Sequence, residues 1–299
     1  MEPEPAVNPM SDREQPTTNN RQPTTVFLRV GVYVVLYILA ARVSAPALHW
    51  VGGYLLGITL SQFVAALAAN WIALRIYGRR HLADLGLKWN RPSMINLALG
   101  LAGGMGSAAL ILLPPLAVHI ARLAPNGEGH VSWDVFLFTA AVLLAGAAGE
   151  EILFRGYGFQ MLLGAWGPYT TVFTVAAIFG ALHSMNPNST WLGVVNTTGF
   201  GVLFGYAFLR SGDLWLPIGL HFGWNFTLPL FGVNVSGLTM RLSGVEMHWN
   251  VGPLWSGGEY GPEGSVLASA VLVALAFYIW KAPVRKQEPR LLTSAPASE

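Results

Sequence analysis

Six side chains whose chemistry is out of place in apolar surroundings stand in the second half of this 299-residue chain: Glu150, Glu151, Arg155, His183, His221 and Asn225. Ionisable groups inside an apolar helix are costly and mark functional sites by default. Glu151 and Arg155 are four residues apart, so on a helix they share a face and can pair. Glu150 is turned about 100° from Glu151 and cannot use that arginine equally well. One carboxylate is thereby neutralised and the other is left for chemistry. His221 and Asn225 are likewise four apart and point from one helix face. A carboxylate and a histidine sharing one water form a general-base pair. A second histidine and an amide supply donors to a developing oxyanion. The same Glu150, His183 and His221 would also make a catalytic zinc set of one carboxylate and two imidazoles with water. Residue types alone leave both open. No other segment interior has comparable groups, apart from Asn70, His119 and Asn196.

What must hold these groups is membrane helix. Hydrophobic residues make up 53% of the chain and charged residues only 11%, against about 25% charged in soluble domains. The 17 basic and 15 acidic residues leave a net charge of +2, which excludes a nucleic-acid binder working through a basic face. With 0 cysteines there is no disulfide or thiolate zinc site. A hydrocarbon core needs about 20 apolar residues in helix. Eight stretches qualify: 26–43, 51–76, 94–122, 134–163, 168–185, 190–210, 214–232 and 264–281. The expected fold is therefore an all-α polytopic bundle of about eight transmembrane helices.

The chain divides into a polar tail over 1–25, helices over 26–122, a core over 134–232 that carries the six residues, an outer connection over 233–263, and a last helix with a basic tail over 264–299. Val43-Ser44-Ala45 resembles a signal cleavage site, but the leader is long and acidic, Arg29 interrupts the apolar run and Pro46 follows, so the segment reads as a retained helix. Arg13, Arg21, Arg75, Arg79, Arg80, Lys88, Arg91, Arg210, Lys281, Arg285, Lys286 and Arg290 gather on one side. The positive-inside rule then puts both termini in the cytoplasm, with the plasma membrane as the expected location. At about 1.5 Å per residue, Glu150 and His183 fall at similar depth, with His221 roughly 10 Å nearer the cytoplasm. The expected opening is toward the cytoplasm or the inner leaflet, because His221 is two turns from the connection before its helix.

These residues resemble the motifs of the type II CAAX prenyl endopeptidase family, also called CPBP or ABI intramembrane proteases. Glu-Glu-x-x-x-Arg reads Glu150-Glu151-Ile152-Leu153-Phe154-Arg155 and is followed by Gly156. Phe-x-x-x-His reads Phe179 to His183, and His-x-x-x-Asn reads His221 to Asn225. Arg210–Ile218 resembles the family's linking segment, and the likeness covers roughly 134–232. The resemblance implies that Glu150 and His183 activate water, that His221 and Asn225 stabilise the oxyanion, and that Glu151 and Arg155 support the site. It implies a peptide or protein substrate, lipidated or membrane-embedded, reached from the bilayer. It leaves zinc or a metal-free glutamate mechanism as the cofactor choice. Some bacterial members serve in bacteriocin immunity or bind partner proteins, so a non-catalytic scaffold is the alternative.

Other protease signatures are absent: there is no His-Glu-x-x-His, no Gly-x-Ser-x-Gly and no Asp pair in an apolar segment. A proton-coupled transporter would need a second polar cluster in the opposite half, and the first three apolar segments have none. His49, His81 and His130 lie near helix ends or in loops and read as solvated. Glu246 and His248 read as an exposed, flexible pair, which rarely holds a metal tightly.

Overall fold

The computed structural model describes residues 23–78, 80–127, 129, 131–240 and 242–293. The tail up to residue 22, with Arg13 and Arg21, lies outside the described residues, as do Arg79, His130 and Arg241. The chain is a helical bundle. Its elements are α1 (Pro23–Gly78), α2 (Arg91–Ala117), β1 (Ala121–Pro125), α3 (Trp133–Arg155), α4 (Tyr157–Trp166), α5 (Pro168–His183), α6 (Trp191–Ser211), α7 (Trp215–Leu230), β2 (Val245–Trp249), the single turn α8 (Pro253–Ser256), α9 (Val266–Lys281) and the terminal turn α10 (Arg290–Thr293). Among the described residues, five apolar helical stretches are long enough to cross a membrane: Thr24–Val51, Leu56–Gly78, Arg91–Ala117, Trp133–Trp166 and Trp191–Ser211. The chain is an integral membrane protein. Helices α5, α7 and α9 have 16 residues each, about 24 Å of rise, less than a full hydrocarbon core. The expectation put the seventh segment at 214–232. Its helix stops at Leu230, next to Pro229, and Phe231 caps it with N–H bonds to Leu228 and Pro229.

The first two expected helices are limbs of one helical hairpin. It runs through Pro46 and turns at Gly53, whose φ of 75° is open to glycine and strained for other residues. The third ends at Ala117 rather than 122. Two consecutive prolines, Pro114 and Pro115, remove N–H donors there, His119 takes a left-handed φ of 61°, and the chain extends into β1. β1 pairs antiparallel with β2, Arg122 opposite His248 and Ala124 opposite Glu246. Glu246 and His248 are thus held in a strand.

The fourth expected helix breaks in two at Gly156 (φ −76°, ψ −139°). The break frees backbone groups that a membrane interior cannot leave unpaired. Asn70 and Tyr33 meet them. Asn70 Oδ1 accepts the Tyr157 N–H at 2.7 Å, Asn70 Nδ2 reaches the Ile152 carbonyl at 3.1 Å, and Tyr33 donates its hydroxyl proton to the Leu153 carbonyl at 2.9 Å. A Cβ on Gly156 would collide with the Ile152 carbonyl and Asn70 Oδ1.

Two apolar clusters build the core. One joins α2, α6, α7 and α9 through Ile111, Leu112, Phe204, Leu220, Trp224 and Leu275. The other joins α1, α3, α4 and α5 through Tyr33, Ala66, Ile152, Phe159 and Val172. Leu39, Leu110, Phe173 and Val273 are more than half exposed, as apolar side chains facing lipid must be. A third, small cluster of Leu143, Met240 and Leu242 packs the outer connection onto α3.

Candidate active site

Helix α3 presents its carboxylates where it runs closest to α1. A Cβ on Gly149 would lie 2.9 Å from the Phe63 backbone, so the small-residue run before Glu150 is what permits the approach. Helix α7 is seated in the same way against α2: a Cβ on Gly219 would lie 2.6 Å from the Leu97 carbonyl. That contact sets the position of His221, two residues further on.

Glu151 and Arg155 are fully buried and paired at 3.2 Å between Oε1 and Nη1. Arg155 Nη2 also donates to the Gly201 carbonyl of α6 at 2.8 Å. Its guanidinium sits 5.2 Å from the Phe179 ring centroid and 5.5 Å from that of Phe204, a geometry that favours the cation. Glu151 Oε1 has a second partner that the residue spacing did not reveal, His221 Nδ1 at 2.9 Å. A carboxylate there takes the Nδ1 proton in hydrogen bond and turns the opposite ring nitrogen outward. His221 Nε2 lies 3.9 Å from Glu150 Oε2, too far for a hydrogen bond. Phe204 stacks on the His221 ring at 4.9 Å and 17°.

His183 ends α5 and binds the Phe179 carbonyl of its own last turn through Nδ1 at 2.8 Å. A carbonyl only accepts, so Nδ1 carries the proton and Nε2 is a free acceptor. The Phe179 ring lies between the histidines, 4.5 Å from His183 and 6.2 Å from His221. Glu150, His183, His221 and Asn225 all line one cavity of about 430 Å³. Glu150 keeps a quarter of its side chain accessible, and its Oε2 has no protein hydrogen-bond partner. The 10 Å offset expected for His221 is absent, because that estimate assumed a straight helix through Gly156.

Tyr37, Thr59 and Gln62 of α1 also line the cavity, as do Asn186 and Pro187 after α5 and Val235, Ser236, Leu238 and Met240 of the outer connection. No residue of 80–90, 156–167 or 211–214 does. The connections that line the cavity are those after α5 and after α7. The α1 lining could not be found from spacing, because nothing in Tyr37, Thr59 or Gln62 departs from ordinary helix residues. His49, His81, His119 and His248 are exposed.

The zinc alternative does not fit the donors as they stand. Among the described residues no three His, Asp or Glu side chains converge on a point where one ion would sit. His183 does not join Glu150 and His221 at a common centre.

Residues 132–227 match the family profile described as Type II CAAX prenyl endopeptidase Rce1-like. The match takes in α3 to α6, α7 as far as Thr227, and all six site residues. No curated protein matches the chain.

Proposed function

From the premise that residues 132–227 are an Rce1-like domain, of a peptidase family that acts on peptide or protein substrates in membranes, we propose that this chain is an intramembrane endopeptidase whose water is activated by Glu150. The observation that supports the reading is the shared cavity, which Glu150, His183, His221 and Asn225 all line while Glu151 is occupied by Arg155 and His221.

A water between Glu150 and His183 gives a proton to the Glu150 carboxylate as its oxygen attacks the scissile carbonyl. The carbonyl π electrons move to oxygen, and Asn225 Nδ2 with a protonated His221 Nε2 donates hydrogen bonds to that oxyanion. Glu151 holds the His221 ring in the required orientation through Nδ1. Collapse of the tetrahedral species breaks the C–N bond, and Glu150 returns its proton to the departing amine. No step is routed through a metal. The mostly apolar walls of the cavity suit a segment that reaches the site from the bilayer.

The test is hydrolysis of membrane-embedded and lipidated peptide libraries by purified protein, with and without chelator. Cleavage that persists with chelator and disappears in Glu150→Gln is the expected result. A wild-type protein that cuts nothing, or a Glu150→Gln variant that cuts as well as wild type, would overturn the proposal.

A further inference from the structure

Outside the site, one buried carboxylate has no part in the chemistry above. Glu263, between α8 and α9, is 5% exposed, and no described ion pair involves it. Its oxygens are divided between two elements. Oε1 accepts the indole N–H of Trp224 on α7 at 3.0 Å. Oε2 accepts the backbone N–H of Ser236 and, at 2.9 Å, its hydroxyl. The backbone of Glu263 is tied from behind, since Asn196 of α6 donates to its carbonyl at 2.8 Å and to that of Ser265 at 2.9 Å.

Both partners lead to the cavity. Trp224 stands between His221 and Asn225 on α7, one residue before Asn225. Ser236 lines the cavity itself, and its carbonyl accepts from Asn186 at 3.2 Å, three residues beyond His183. Ser236 takes a left-handed φ of 48°, uncommon for a residue with a side chain. Gly237 beside it has φ 82°, and a Cβ there would strike the Pro187 carbonyl. The turn is thus wedged against the loop that follows His183, with the Glu263 carboxylate on Ser236 and the Tyr260 carbonyl accepting the Gly237 N–H at 2.8 Å. Burial pushes the Glu263 carboxyl upward, while the Ser236 and Trp224 donors pull it back.

We propose that Glu263 is a positioning residue: it clamps the Ser236 turn as the roof of the cavity and fixes Trp224, and with it the rotation of α7 that aims His221 and Asn225. The aiming of His221 and Asn225 at a reacting peptide rests on the proposed protease reading; the clamp itself does not. Glutamine at 263 keeps one acceptor oxygen but turns an N–H₂ donor toward either the Trp224 or the Ser236 donor, so one tie is lost.

The native chain has no cysteine, so a single Val235→Cys reports the roof, and a single Ala69→Cys, buried in the other half of the bundle, reports global opening. In purified protein, Glu263→Gln and Trp224→Phe should each speed labelling of the Val235→Cys thiol about tenfold or more, the opening expected on losing a charge-assisted hydrogen bond. Labelling at Ala69→Cys should not change. The acceleration in the double variant should fall short of the two single effects combined, because both substitutions act through the same carboxylate. Equal acceleration at both cysteines, no acceleration at either, or additive acceleration in the double variant would overturn the proposal. Peptide hydrolysis supplies the second readout, with kcat expected to fall about tenfold and KM to move less than about threefold. If wild type cleaves nothing, the protease reading fails, and the labelling still decides the role of Glu263.

Discussion

Glu150 and Glu151 are adjacent in the chain and differ in what each touches. Glu151 is fully buried between Arg155 and His221, whereas Glu150 has an oxygen without a protein partner on the cavity wall. Removing one member of a buried pair strands the other charge. Arg155→Ala and Glu151→Ala should each lower stability by about 3–5 kcal/mol, read as loss of folded yield and of melting temperature in detergent. Glu150→Gln should leave the melting temperature unchanged while lowering peptide hydrolysis by about 10²- to 10⁴-fold. If Glu150→Gln collapsed the fold and Arg155→Ala were silent, the assignment of the two carboxylates would be reversed. The pairing of Glu151 with Arg155 was legible from four-residue spacing. Its bond to His221 was not, because seventy positions of chain and a helix packing lie between them.

Among the elements, the break between α3 and α4 matters most to the site, since it ends the site helix one residue after Arg155. Gly156→Ala should destabilise the protein by about 1–3 kcal/mol, as overpacking does, because the Asn70 amide and the Ile152 carbonyl occupy the space. Gly164→Ala on α4 meets nothing within 4 Å and should be neutral to stabilising, given the helix preference of alanine over glycine. Thermal unfolding of the two variants side by side checks the difference; equal effects would show that the break needs no glycine. Apolar composition carries on through Gly156 without interruption, which is why residues 134–163 read as one helix. Asn70, a polar residue without an assigned task in the sequence, turns out to serve that break.

The whole molecule is closed at its other end by the segment after α9. Gln287 donates its backbone N–H to Ser211 at 2.6 Å, and its side chain, together with Asn96 at 2.8 Å, donates to Asp213 Oδ2. This network joins α2, the α6–α7 connection and the C-terminal segment. Burial holds the Asp213 carboxyl above its usual value of 3.8, against the pull of those donors. A carboxyl raised in this way keeps its proton longer in the folded chain than in the unfolded one. Its contribution to stability is present below the unfolded value and is lost as pH rises through the folded one. Melting temperature should therefore decline across that weakly acidic window in wild type, and the slope should be shallower in Asp213→Asn. An identical slope in both proteins would assign the pH dependence elsewhere. Orientation is a second test at this scale. Single cysteines at Asn250 and Trp89, on opposite ends of the bundle, should label with an impermeant reagent from outside and only after lysis, respectively, if the basic residues set the topology.

By itself the sequence determined that the protein is a membrane helix bundle, because lipid forbids irregular backbone and twenty apolar residues leave few other choices. It also singled out Glu150, Glu151, Arg155, His183, His221 and Asn225, because polar groups in such segments are too costly to be incidental. The tertiary structure alone decided which of them meet. Glycine contacts between α2 and α7 and the break at Gly156 brought His221 within 3.9 Å of Glu150, and no periodicity encodes a crossing of two helices. It alone also folded the 233–263 connection over the cavity and buried Glu263 beneath it. Local propensity governs a few residues at a time, whereas these contacts arise only when segments far apart in the chain are packed together.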